Sequence, residues 1–166
     1  TNRQKERNDF MANIEARLAE LGIEIPAAAI PKAAKIETYL IYNGTLRVSG
    51  QLPAIDGDIK YIGHVGREQS LEAGQAAARL SALNVLAQAK HALDGDLDRI
   101  ERVLNLRGFV ATIEGFDQVA QVVNGASELM HDIFGELGKH TRTAVGVNSM
   151  PYNVTVEIEA LFALKK

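Results

Sequence analysis

Two segments of this chain, residues 71–93 and 117–135, repeat their apolar residues at helical spacing, and each lies between segments whose apolar residues alternate. In the first, Leu71, Ala78, Ala82, Val85, Leu86 and Ala89 form one stripe; in the second, Val119, Val122, Val123, Ala126, Met130, Ile133 and Phe134 do. A helix that joins two strands of one sheet makes a right-handed crossover. Two such helices in succession therefore settle on the same face of the sheet. The predicted fold is α+β, a mixed sheet with two helices packed on one face. Its element order is helix, β, β, β, helix, β, helix, β, β.

Local signals fill in this frame. Tyr39–Tyr42 and Thr45–Val48 alternate around Asn43-Gly44, the signature of a tight hairpin. Asp56-Gly57-Asp58 reads as another turn, with a short strand near Lys60–Ile62 after it. Ser70 is placed to cap the first long helix, with Glu72 in its first turn and Gly95 as its left-handed stop. Asp117 is expected to cap the second. In the strand from Arg102 to Thr112, alternation puts Leu104, Leu106 and Val110 on one side, Val103 and Phe109 on the other. Residues 140–149 and 153–164 read as a final hairpin turned at Ser149-Met150-Pro151-Tyr152. The sheet face away from the helices keeps residues such as Leu161 and Ala163, so self-association through that face is expected.

Composition narrows the function. At 166 residues the chain has the size of one domain. Aromatics make up only 5% and Trp is absent, so the core must be aliphatic. A net charge of −3 with scattered Lys and Arg gives no footprint for a nucleic acid. The lack of cysteine excludes disulfides, thiolate catalysis and Cys-ligated zinc. The four histidines, His64, His91, His131 and His140, form no HxH or HxxxH pair, and no metal is expected. No apolar run is long enough to span a bilayer and no segment has signal-peptide order, so the expected location is cytoplasmic. Residues 1–10 are polar and Met11 opens a helical pattern ending at Gly22. The first ten residues are therefore expected to be an extension or expression remnant, and 11–166 a single domain.

The chemistry concentrates near the end. Arg142 shares a strand face with Ala144 and Gly146, whose small size leaves room beside the guanidinium. If the last two strands pair as a hairpin, position 142 lies opposite 158 or 159, and Glu157 or Glu159 sits near Arg142. A cross-strand ion pair on a solvated face is one reading. A planar fork for a carboxylate, with a glutamate nearby to manage a water, is the other. Elsewhere, His64 lies in a Gly-bounded loop, Gly63-His64-Val65-Gly66, that is too short for a phosphate loop and lacks its Lys-Ser/Thr. Ser49 has no evident His and acid partners for a serine hydrolase.

Three segments carry a family likeness: Ser49-Gly50-Gln51-Leu52-Pro53, Asn124 within Val-Val-Asn-Gly-Ala, and the ending Arg142-Thr-Ala-Val, Met150-Pro151 and Val156-Glu-Ile-Glu-Ala. In order and spacing they resemble the RidA/YjgF family of reactive-intermediate deaminases, in a less characterised branch. The resemblance implies a chorismate-mutase-like fold and a homotrimer with clefts between subunits. It implies no cofactor. It also implies that Arg142 holds a substrate carboxylate, while Glu157 and the backbone carbonyl of Ala144 orient a water that attacks a 2-imino or enamino acid. Ammonia and a 2-keto acid would result. Ser49 and Asn124 are placed near the cleft by the same likeness. The founding deaminases carry a tyrosine upstream of the SGQ segment; Ile36 stands there in this chain and Tyr39 is out of register. A non-catalytic trimeric module that binds a small carboxylate or keto acid is the alternative, and an RNA-directed activity the third.

Overall fold

The computed structural model describes residues 13–32 and 35–166. The boundary at Met11 lies outside these residues. The elements in chain order are α1 (Ile14–Leu21), β1 (Tyr39–Tyr42), β2 (Thr45–Gln51), β3 (Ala54–Ile55), β4 (Asp58–Ile59), α2 (Leu71–Ala92), β5 (Ile100–Ala111), α3 (Val119–Phe134), β6 (Thr141–Val147) and β7 (Val156–Leu164). Five strands form one sheet in the order β1-β2-β7-β5-β6, and β3 and β4 form a two-stranded ribbon. All pairs in the large sheet are antiparallel except β5 with β6.

The crossovers explain the layering. The β2–α2–β5 connection strides past β7, and β5–α3–β6 advances in the same direction, so both helices settle on one face. There Leu46, Val48, Leu106, Val110, Val156, Ile158 and Phe162 of the sheet meet Ala78, Ala82, Val85, Leu86, Val122, Val123, Ala126 and Met130 of the helices, all fully buried. A third helix joins them: α1 buries Ile14 and Leu18 in the same core, and its first backbone N–H donates to Asp98 Oδ1 at 2.8 Å. Sequence expectation had two helices over the sheet; among the described residues three helices pack there. On the opposite face Leu161 and Ala163 are half-buried, as expected.

Several local expectations hold for the reasons given. Asn43 and Gly44 both take positive φ, 48° and 72°, the conformation a two-residue turn between right-twisted strands requires. Ser70 Oγ accepts from Ala73 N at 3.1 Å and caps α2. Others fail. Asp117 caps nothing; Gln118 occupies the cap position of α3 and makes no side-chain bond there. Residues 60–62 form no strand of their own: Asp56 and Gly57 turn β3 into β4, and Ile62 makes only an isolated bridge to Val154. In β5 a register shift between Val103 and Asn105 moves Val103 to the helix side with Leu106, leaving Leu104 half-exposed at the irregularity.

The largest difference is at the end. β6 and β7 do not pair. The Ser149–Tyr152 segment leads over the end of β5, and β7 inserts between β2 and β5, where both its edges find partners.

The α2–α3 contact is close enough to need glycine. A methyl group at Gly125 would collide with the main chain at Gln75, which cannot move without parting the helices. Gly125→Ala is expected to lower stability by about 1–3 kcal/mol, read as a reduced urea midpoint with an unchanged slope.

Candidate functional site

Arg142 is the second residue of β6 and lies on the helix side, level with Leu106 of β5. Its Nη1 donates to Asn124 Oδ1 at 2.8 Å and to Ser127 Oγ at 3.1 Å. Asn124 and Ser127 are one helical turn apart on α3, so α3 holds the guanidinium from a single side. Among the described residues, Arg142 Nε and Nη2 donate to no protein acceptor. Those two nitrogens are one edge of the guanidinium, the geometry of a two-point grip on a carboxylate. Arg142, Ser127 and His140 line a cleft of about 410 Å³.

The chain of partners continues. His140 Nδ1 lies 2.6 Å from the Gly138 carbonyl and Nε2 lies 2.9 Å from Ser127 Oγ. Burial holds His140 below its ordinary pKa; its bond to Gly138 opposes this, and the nearby Arg142 charge adds to the depression. Sequence reasoning missed Ser127 and gave His140 no role. The signals were there: Ser127 follows Asn124 by three on a helix, and His140 precedes Arg142 by two on one strand face.

Ala144 follows on the same face as Arg142, and its side chain packs on the core. Thr112 N donates to Val147 O, so the carbonyls of 147, 145 and 143 turn toward β5. By alternation the Ala144 carbonyl turns outward, on the free edge of the sheet.

Glu157 stands elsewhere. It lies on the face away from the helices, level with Phe109 of β5 and Val145 of β6. Burial pushes its pKa above the ordinary 4.5, and the charge of Glu159 adds to the rise. Between Val48 and Gln51 the register of β2 against β7 slips by one, a bulge at Ser49-Gly50. A side chain at Gly50 would meet the Glu157 carboxylate and displace it, so glycine here leaves Glu157 room in its present position. Ser49 Oγ donates to the Glu37 carbonyl at 2.6 Å. Ser49, Gly50 and Gln51 line a second cavity of about 490 Å³ together with Ile36, Thr38 and Asn84.

The structure thus brings Arg142, Asn124 and Ala144 together, and sets Gly50, the neighbour of Ser49, against Glu157, but Arg142 and Glu157 lie on opposite faces of the sheet. The hairpin expectation that set a glutamate beside Arg142 is wrong because β5 runs between β6 and β7. Glu159 pairs instead with Arg107, Nη1 to Oε1 at 3.1 Å, and that guanidinium lies over the Phe109 ring. Ile36 is 68% exposed at the second cavity, while Tyr39 meets His91 edge-on and does not reach it. His64 Nε2 donates to the Asn148 carbonyl at 2.7 Å and so ties its loop to the strap before β7. Among the described residues no three His, Asp or Glu side chains converge as metal ligands, and no helix is long and apolar enough to cross a membrane.

Residues 15–164 match the family described as "YjgF/chorismate mutase-like, putative endoribonuclease". Protein TCP17 of Trypanosoma cruzi is 44% identical over 152 residues, 91% of this chain and 94% of that protein. The crystal structure of Atu1372 from Agrobacterium tumefaciens, of unknown function, superimposes with a TM-score of 0.86 at 42% identity, covering 98% of this chain and 99% of the other. TdcF of E. coli, solved with bound serine, has the same fold at 21% identity and a TM-score of 0.58, over 86% of this chain and 94% of its own.

Proposed function

We infer that this chain, which belongs to the YjgF/chorismate mutase-like family, grips the carboxylate of a small molecule on Arg142 and hydrolyses an adjacent C=N bond. The substrate class is a 2-imino acid, or an enamino acid after tautomerisation. Water adds to the imine carbon, ammonia leaves, and a 2-keto acid remains. One water is consumed and no electrons are exchanged, so the reaction needs no cofactor. The observation that carries this reading is the guanidinium of Arg142, fixed by Asn124 and Ser127 through Nη1 and open along its Nε–Nη2 edge.

Glu157 is the group that manages the water. Its raised pKa brings it nearer the working range of an acid that must also act as a base. It takes a proton from the attacking water and returns it to the departing nitrogen. The outward carbonyl of Ala144 accepts a hydrogen bond from the water's other hydrogen. That second proton reaches nitrogen through Glu157 as the C–N bond breaks and the keto group forms, and Ser49 shapes the wall of the neighbouring cavity. Because Arg142 and Glu157 face opposite ways in one chain, the complete site requires two copies, and we assign the assembly as a homotrimer with clefts between subunits. Leu40, Val145 and the half-buried Phe109, Leu161 and Ala163 give the helix-free face enough apolar surface for such a contact.

The test is a coupled assay in which an amino-acid oxidase or dehydratase releases the imine while keto acid is timed. Acceleration over the enzyme-free rate is expected, with light scattering giving three chains per particle. A monomer, in which Glu157 cannot reach Arg142, would sink the mechanism.

A second reading rests on Ile36. The cavity beside Ser49 lacks a phenol, so the same cleft could bind a small carboxylate or keto acid and transmit its presence without turnover. No acceleration by an intact trimer that binds pyruvate would establish that reading. RNA cleavage by the tag-free protein, abolished by salt, would favour neither and point to the family's other label.

A further inference from the structure

We propose that Ser127 and His140 are positioning residues for Arg142, forming a one-way hydrogen-bond chain that pins Nη1 and so fixes which edge of the guanidinium meets a carboxylate. The proposal rests on the carboxylate reading for its purpose, but its geometry stands apart from it.

The direction of the chain follows from donor and acceptor inventories. The Gly138 carbonyl can only accept, so His140 Nδ1 carries the proton across that 2.6 Å contact. In the neutral ring Nε2 is then an acceptor, and among the described residues the donor it meets, at 2.9 Å, is the Ser127 hydroxyl. With its proton given to His140, Ser127 turns its lone pairs to Arg142 Nη1 at 3.1 Å. The second hydrogen of Nη1 goes to Asn124 Oδ1. Both Nη1 hydrogens are thus spent, and rotation of the guanidinium would break two bonds at once.

The surroundings keep the ring neutral. His140 is half-buried, immediately before β6, and close enough to Arg142 to feel its charge. From α3, Glu128, His131 and Asp132 line the same cleft; Lys139 adjoins it, paired with Glu136 at 2.9 Å. From β5, Arg102 Nη2 reaches the Lys139 carbonyl at 3.1 Å, and from α1, Arg17 Nε reaches the Asp132 carbonyl at 2.9 Å. A protonated His140 would place a second cation beside Arg142 and convert Nε2 to a donor, so the Ser127 hydroxyl would have to turn elsewhere.

The Ser127–His140 pair resembles a nucleophile and its base, but the site argues otherwise. The serine oxygen is already engaged by a guanidinium, which draws electron density from it. It also sits within a helix, whose backbone N–H groups are committed internally and offer no oxyanion hole.

Nitrogen-detected NMR of the histidines tests the chain without any ligand. The wild-type protein is expected to show His140 as the Nδ1–H tautomer, titrating below an ordinary histidine. Arg142→Gln should raise that titration, since a neighbouring cation is lost. An Nε2–H tautomer, or a titration indifferent to Arg142→Gln, would overturn the proposal.

Pyruvate, as the probe carboxylate, tests the purpose. Ser127→Ala should weaken its binding, and raise KM for imine turnover, roughly tenfold with little change in kcat. Ser127→Thr, which restores a hydroxyl, should recover most of the loss. Unchanged binding in Ser127→Ala, or covalent labelling of Ser127 by a fluorophosphonate, would overturn the positioning role. If wild type binds no pyruvate while both NMR results hold, the carboxylate reading fails and the hydrogen-bond chain stands.

Discussion

Arg142→Ala should leave the fold and assembly intact and weaken capture of a small 2-keto acid by about 100-fold or more. Two charge-assisted hydrogen bonds along one guanidinium edge are removed, each contributing about 1.5 kcal/mol or more. The fold should survive because Arg142 sits on an edge strand and its loss strands only Ser127, which lines an open cleft, and Asn124, which is half-buried. Arg142→Lys should recover little. An ammonium keeps the charge but is a single point, and it cannot bond Asn124 and Ser127 while offering a second, coplanar pair of donors. Calorimetry with pyruvate measures both variants. Full affinity in the lysine variant would show that charge alone suffices and that the fork is not used.

Glu157→Gln should leave binding nearly unchanged and slow turnover by about 10²- to 10⁴-fold, the range of a lost acid/base group. The wild-type rate should fall as pH drops through the raised pKa of Glu157, so the acidic limb lies above the usual glutamate range. Glu159→Gln removes the like charge beside it and should move that limb to lower pH. The sign for stability is opposite to that for activity. A carboxylate whose folded pKa is raised costs the native state at neutral pH, so Glu157→Gln should match or exceed wild type in melting temperature. Mixing subunits of the Arg142→Ala and Glu157→Gln variants adds a sharper test. If each site takes its arginine from one chain and its glutamate from the next, random exchange rebuilds about one quarter of the sites. No recovery on mixing would place both groups in a single subunit.

Much of this arrangement is legible in the sequence. Two purely local signals are realised as read: Asn43-Gly44 takes positive φ because Asn and Gly tolerate it, and Ser70 caps because its hydroxyl reaches the third N–H, whereas Asp117, read in the same way, caps nothing. The alternation within β7 correctly separated Val156, Ile158, Ala160 and Phe162 from Glu157 and Glu159. What alternation cannot supply is a neighbour. The Met150-Pro151 turn signal is local and says that the chain reverses, whereas pairing depends on which strand already occupies the adjacent slot. With β5 in that slot, Arg142 kept its small companion Ala144 but lost its glutamate, and the two halves of the site separated. The bulge at Ser49-Gly50 was invisible for the same reason, since it is a slip in register against β7, more than a hundred residues away. Ser127 and His140 escaped notice because neither is unusual alone; only the carbonyl of Gly138 gives their contact a direction.

The insertion of β7 between β2 and β5 has a consequence for how the chain is made. The strand that comes last in chain order among the described residues is the middle plank of the sheet, so the strands synthesised before it emerge with a gap at their centre. Two half-sheets, each with an exposed edge, must wait until β7 leaves the ribosome and zips them together. A chain truncated before Val156 should therefore show no cooperative unfolding transition, and a bulky fusion placed directly after Leu164 should slow maturation far more than one at the other end.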